Sequence, residues 1–175
     1  MIVWSKPDIG PTSDTIHNTG LIISRMKDLL IIEGPQVVLS EPEHDWEIQR
    51  YSVNEGVAVI KSNNKIFIAF SASATDHNYA VGLLWAHVHA DLLDPASWTK
   101  LPRPVFYTNP ELAGMAQDTT VSPLPKMGKP ISLYIMQEII KKYRGIPYKT
   151  PTATPGRVLN WTEDGFPDFG QNIRD

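Results

Sequence analysis

The chain is 175 residues long, enough for one domain with a core of its own. It carries 16 Lys and Arg against 19 Asp and Glu, and the resulting charge of −3 gives no electrostatic footprint for nucleic acid. Cysteine is absent, which removes thiol chemistry and thiolate metal sites; no apolar run is long enough to span a bilayer; and the opening MIVWSKPDIG has neither the basic nor the apolar region of a signal peptide.

Fifteen prolines cut the chain into short elements, which favours strands and loops over a helical bundle. Gly20 to Met26 reads as a strand, and Gln36 to Ser40 as another, started by a Gly34-Pro35 turn. Glu41 to Tyr51 is polar and reads as a loop anchored by Trp46. Val57–Ile60 and Ile66–Ser71 form a hairpin across Asn63-Asn64, and Tyr79–His87 follows as a further strand. Asp91–Trp98 reads as a short helical turn or loop, and Leu101–Pro110 as irregular. Ser132–Arg144 carries two patterns. Leu133, Met136, Ile139, Ile140 and Tyr143 have helical spacing, while Ile131, Leu133 and Ile135 alternate as in a strand. We take Ile131–Ile135 as a strand, because neighbouring strands override local propensity, with a helical turn after Met136. Asn160–Gly170 is turn-rich, with Asp164-Gly165 as its reverse turn. Strand, turn, strand and polar loop recur along the chain, which points to an all-β sandwich or propeller.

One residue stands out chemically. Glu55 lies immediately ahead of the first strand of the Asn63-Asn64 hairpin, where an all-β hydrolase can present an acid. By pattern alone, a glutamate beside a turn is more often only solvated. Asn54 adjoins it and can bond backbone or substrate; Ser71 and Ser73 are small enough to let a sugar approach the backbone or to pack closely. Asp76 and His77 suit a loop that lines or supports a pocket. His87 and His89 would share a strand face, but no third ligand is suitably spaced, so no metal or cofactor is expected. His17 and His44 read as solvated. Among the tryptophans, Trp85 reads as core, Trp98 as an anchor under a loop, and Trp46 as the platform on which a sugar would stack.

The runs QVVLSEPEHDWE, VNEG, KIFIAFSASATDHNYAVGLL, DLLDPASWTKLPRPVF and NWTEDGFPDFG resemble the family 43 glycoside hydrolases, and most closely their α-L-arabinofuranosidase members. The resemblance implies a five-bladed β-propeller with a central pocket, here one partial propeller domain over residues 1–175 with about three to four blades. It implies inverting hydrolysis of α-L-arabinofuranosyl linkages in arabinan or arabinoxylan, with Glu55 in VNEG as the general acid. The family's EGP context has Val57 in place of the proline. The family's base and its helper aspartate have no match here: Asp8 and Asp14 lie in a loop beyond both positions. Where the family carries Gly-Pro-Gly-His-Asn, this chain reads Gly114-Met115-Ala116-Gln117-Asp118, so Gln117 replaces a histidine that bears on the pocket. A Tyr-His-Ala run is here Tyr134-Ile135-Met136, and a His-Thr-Arg run falls at Ala153-Thr154-Pro155. The implied partner is an arabinose-containing polysaccharide or oligosaccharide, with no nucleic acid and no membrane. Exposed blade edges give a route to self-association. Family members act mostly outside the cell, whereas this chain shows no export signal. The alternative reading is a non-catalytic, truncated relative with weak carbohydrate binding or none.

Overall fold

Runs of β-branched and aromatic residues between Gly, Asn and Pro turns produce strands whose ladders, among the described residues, are antiparallel. The computed structural model describes residues 1–7, 19–74, 77–107, 122–124, 132–134 and 159–170. The first sheet has strand order β1 (Ile2–Pro7), β2 (Thr19–Met26), β3 (Ile32–Ser40). The β2–β3 turn is closed by Lys27 N–H donating to Ile31 O at 2.9 Å, while Asp28 Oδ1 accepts from the N–H of Leu30 and Ile31. This turn leaves Leu29 and Leu30 92% and 93% exposed.

The start of β3 differs from the sequence expectation. The strand begins at Ile32 and runs through Gly34-Pro35 instead of starting after them. Register passes from Arg25↔Glu33 to Ile23↔Val37, so the Gly-Pro pair lies in a bulge, with Gly34 at φ +102°. β3 is an edge strand of this sheet, where a proline lacking its N–H is tolerated and a glycine supplies the positive φ.

The second sheet runs in the order β4 (Asn54–Ser62), β5 (Lys65–Ala72), β6 (Ala80–His87), β7 (Thr99–Lys100), and β8 (Phe106–Tyr107) also pairs with β6. Its first hairpin turns at Asn63 and Asn64 with φ of 48° and 59°, the pair of left-handed residues that matches strand twist. β5 is almost wholly buried because it is covered on both faces. Phe67 and Ala69, with Tyr79, Val81 and Leu83, face one core, which Phe106, Leu159 and Phe169 complete. Ile68, Phe70 and Ala72, with Leu84 and Ala86, face the other, against Leu21, Ile23 and Leu39 of the first sheet and Trp98. The two-residue alternation of strands thus divides one apolar run between two cores. Where the sheets approach, Thr19 pairs with Val53 in a parallel bridge, and Thr19 N–H donates to Ser52 O at 3.0 Å.

Two short hairpins complete the described chain. β9 (Ser122–Leu124) pairs with β10 (Ser132–Tyr134). Leu133 is therefore in a strand, as the alternation predicts; Ile131, Ile135 and the turn after Met136 lie outside the described residues. β11 (Asn160–Trp161) pairs with β12 (Pro167–Asp168) around the Asp164-Gly165 turn. Phe166 of this hairpin meets Phe67 and Trp85 edge-on, with ring centroids at 5.3 and 5.5 Å.

Candidate active site

Glu55 is the second residue of β4, half-buried at one end of the second sheet. Its register partner is Ser71, and the next pair is Ala58↔Ala69, so Gly56 and Val57 together oppose Phe70. This is a β-bulge, the device by which a strand turns a side chain away from the regular pleat. Gly56 makes it possible. It has φ +60°, and a Cβ there would lie 2.9 Å from Ser71 Oγ. Ser71 Oγ in turn shares a 2.5 Å hydrogen bond with the hydroxyl of Tyr79, whose ring is buried in the core.

Behind Glu55 lies a second acid that the sequence reading of Glu41–Tyr51 as a polar loop did not single out. Glu47, in the 3-10 turn Asp45–Glu47, is 0% exposed. Its Oε2 accepts from the N–H of Glu43 at 2.9 Å and of His44 at 2.8 Å. Lys100 Nζ approaches Oε1 at 2.7 Å and Oε2 at 2.8 Å, and also donates to Glu41 O at 2.7 Å. Asn54 Nδ2 donates to Oε1 at 3.0 Å and to Val53 O at 3.0 Å, while Asn54 Oδ1 accepts from Ser40 Oγ at 2.8 Å. A buried carboxylate is stable only when paired and hydrogen-bonded in this way. The one sequence signal for it is the aromatic beside it: Trp46 in a polar loop marks a segment folded inward.

The other sequence-derived candidates divide between this end of the sheet and elsewhere. Asn54 is fully buried and its amide is engaged at both ends, so a sugar would have to displace one of these bonds. Ser73, at φ +66°, accepts from Gln49 N–H at 2.8 Å and donates to Trp46 O at 2.9 Å. Trp46 is half-buried, donates Nε1–H to Pro102 O at 3.0 Å, and lies in near-parallel contact with Phe70 and His44. His44 is thus packed on an indole rather than simply solvated. Trp46 also lines an open cavity of about 330 Å³, together with Gln49, His77, Tyr79, Arg103 and Tyr107. The cavity is at the same end of the sheet as Glu55, since Ala72 pairs with Ala80 and Ala80 with Tyr107. Glu55 is not among its lining residues.

His87 ends β6, and Ala90 N–H donates to His87 O, so His89 is in a turn and the two imidazoles do not share a strand face. Trp98 is buried and its Nε1–H holds Leu92 O at 3.1 Å, the anchoring role expected of it. Trp85 is half-buried against the core. Gln117, Asp76 and Asp118 lie outside the described residues, as do Asp8 and Asp14. Among the described residues, no group of three or more His, Asp or Glu side chains could hold a metal ion.

The bulged Asn-Glu-Gly strand and the strands around it fall within a match to the family model described as glycosyl hydrolases family 43, which spans residues 2–124. The chain belongs to that family. It is 37% identical over 175 residues to alpha-L-arabinofuranosidase 43 of Humicola insolens, covering 99% of this chain and 36% of that protein. An extracellular exo-alpha-(1->5)-L-arabinofuranosidase of Streptomyces avermitilis is 36% identical over 175 residues, with 99% and 36% covered. Among solved structures, the alpha-L-arabinofuranosidase from Lactobacillus brevis superposes with a TM-score of 0.80 at 33% identity, over 96% of this chain and 51% of that one. A thermostable family-43 glycoside hydrolase, at 20% identity and a TM-score of 0.64, shares the fold. The chain spans about a third of the length of the curated relatives it matches.

Proposed function

We propose that this chain is a partial β-propeller of the arabinofuranosidase type in which Glu55 is the general acid of an inverting glycosidase and a sugar occupies the end of the second sheet. The observation that carries this reading is the Asn-Glu-Gly bulge: it turns a half-exposed carboxyl out of the pleat in a chain that matches two α-L-arabinofuranosidases over nearly its whole length. The substrate class is an α-L-arabinofuranosyl linkage of an arabinan or arabinoxylan. Glu55 protonates the departing glycosidic oxygen. Trp46, Ser71, Ser73, Asn54 and Gln117 form or support the sugar's surroundings; of these, Asn54 acts from the opposite face of the strand, Ser71 from the face it shares with Glu55, and Ser73 through its bonds to the 46–49 loop.

An inverting site also needs a second carboxylate, about 6.5–9.5 Å from the acid, to activate water on the opposite face of the sugar. The sequence resemblance offers no match for the family's base, and we infer from it that hydrolysis by this chain alone is impaired. The test is the purified chain with an aryl α-L-arabinofuranoside whose phenol is a poor leaving group, with and without azide. Azide attacks the anomeric carbon opposite the leaving group and needs no base. The carbon–oxygen bond breaks, and the phenoxide oxygen takes the Glu55 proton. The expected result is no turnover in water and azide-dependent release of phenol that is lost in Glu55→Gln. Release that is equal in wild type and Glu55→Gln would remove Glu55 from the reaction. Absence of any azide reaction would favour the non-catalytic carbohydrate-binding reading, which Val57 and Gln117 already support by standing where the family has proline and histidine.

A further inference from the structure

We propose that Glu47, Lys100 and Asn54 are a positioning device for Glu55, acting on its backbone from the face opposite its carboxyl. The inference rests on Glu55 being the acid. Successive residues of a strand point to opposite faces, so the side chain of Asn54 fixes the strand from behind while that of Glu55 leaves on the other side. Three contacts clamp the Asn54 amide: Glu47 Oε1, Val53 O and Ser40 Oγ. Glu47 is itself held on several sides. It is 0% exposed, two backbone N–H groups of its own loop hold it, and Lys100 reaches it from β7, at the far side of the sheet from β4. The network therefore joins the end of β3, the 41–47 loop, the start of β4 and β7.

The need for such a clamp follows from the bulge. One residue after Glu55 the regular ladder is interrupted, and strand pairing no longer fixes the approach of β4 by itself. A buried ion pair adds little stability compared with apolar residues of the same volume, whereas its hydrogen-bond directions fix geometry. A side chain that must meet a glycosidic oxygen depends on that geometry, since a misplacement of about 1 Å can cost about 100-fold in rate.

The test uses the full chain and the variants Asn54→Ala, Lys100→Met and Ser40→Ala, the last removing only one bond to Asn54 should the others fold poorly. Two readouts are taken on each folded protein. One is the carbon-13 carboxyl resonance of Glu55, assigned by its loss in Glu55→Gln. The other is the azide-dependent rate, separated into kcat and KM. In Asn54→Ala we expect the Glu55 resonance to move or broaden, and kcat to fall about 10- to 100-fold with KM nearly unchanged. Ser40→Ala should give a smaller effect of the same kind. A Glu55 resonance that keeps its position and width in folded Asn54→Ala and Lys100→Met overturns the proposal. Where wild type shows no azide reaction, the general-acid reading fails, and the resonance alone decides whether the network positions Glu55.

Discussion

Gly82 leaves no space for another carbon. A Cβ at this position would clash with Cζ of Phe70, so Gly82→Ala forces a packed aromatic aside. The expected cost is about 1–3 kcal/mol, read as a lower urea midpoint with an unchanged slope. Gly56→Ala combines a left-handed backbone with the contact to Ser71 Oγ and should cost about 1–2 kcal/mol from the backbone alone. It should also loosen Glu55, so its effect on any Glu55-dependent rate should exceed its effect on stability. Glu47→Ala removes the nearer of the two carboxylates on Lys100, whose side chain is only 10% exposed, leaving it the more exposed Glu43 at 3.5 Å and several donors of the pocket unsatisfied. The expected loss is about 3–5 kcal/mol by denaturant titration, larger than any surface ion pair would give. Glu55 drew notice by its place ahead of a strand, but it became a candidate acid only through the family resemblance of VNEG. Glu47 did not draw notice, because a buried acid in a polar loop has no periodicity to betray it; its burial rests on the loop's own N–H groups together with Asn54 and Lys100, which only the fold brings to it.

The hairpin from β4 to β5 illustrates how local chemistry sets an element. Asn is among the few residues that tolerate the left-handed region, and two in succession give the turn that suits twisted strands. Asn64→Val should therefore destabilise by about 1–2 kcal/mol, whereas a polar change on the neighbouring exposed face should not. The β2–β3 turn is the contrasting case. Its conformation is held by Asp28, and the Leu29 and Leu30 side chains make little contact. Leu29→Ser and Leu30→Ser should each change stability by less than about 0.5 kcal/mol, measured by thermal or urea unfolding. The same physics separates what could be read from the sequence and what could not. Asn63-Asn64 and Asp164-Gly165 announce turns because their backbone needs are met by those residues wherever they occur. Gly34-Pro35 announces a turn equally well but occupies a bulge, because the paired β2 strand continues past it. His87 and His89 look coplanar until the strand ends between them, and strand ends are set by pairing rather than by the residues themselves.

At the scale of the molecule, the second sheet is a partition with a different cover on each side. The first sheet and Trp98 cover one face, and the hairpin of β11 and β12 helps to cover the other. Phe169, 4% exposed, belongs to the second cover. Phe169→Ala should cost about 3–5 kcal/mol, a large part of the ~5–15 kcal/mol that stabilises an ordinary domain, and should increase binding of an apolar dye before global unfolding. The two faces could not be assigned from sequence. A run such as Ile66–Phe70 looks uniformly apolar, and only the tertiary arrangement shows that its odd and even members serve separate cores.

The late arrival of that second cover has a consequence for synthesis. Strands β5 and β6 are complete by His87, but the β11–β12 hairpin begins only at Asn160. At ribosomal speeds of about 5–20 residues per second, the Phe67, Leu83 and Trp85 face waits on the order of ten seconds for its lid. During that interval the part of the cover that Leu159, Trp161, Phe166 and Phe169 supply is missing from this face, so the nascent protein is expected to bind chaperones that recognise apolar surface. Stalled ribosomes bearing the chain to about Gly145 should be captured by such factors, and those bearing it past Gly170 with the hairpin clear of the exit tunnel should be released.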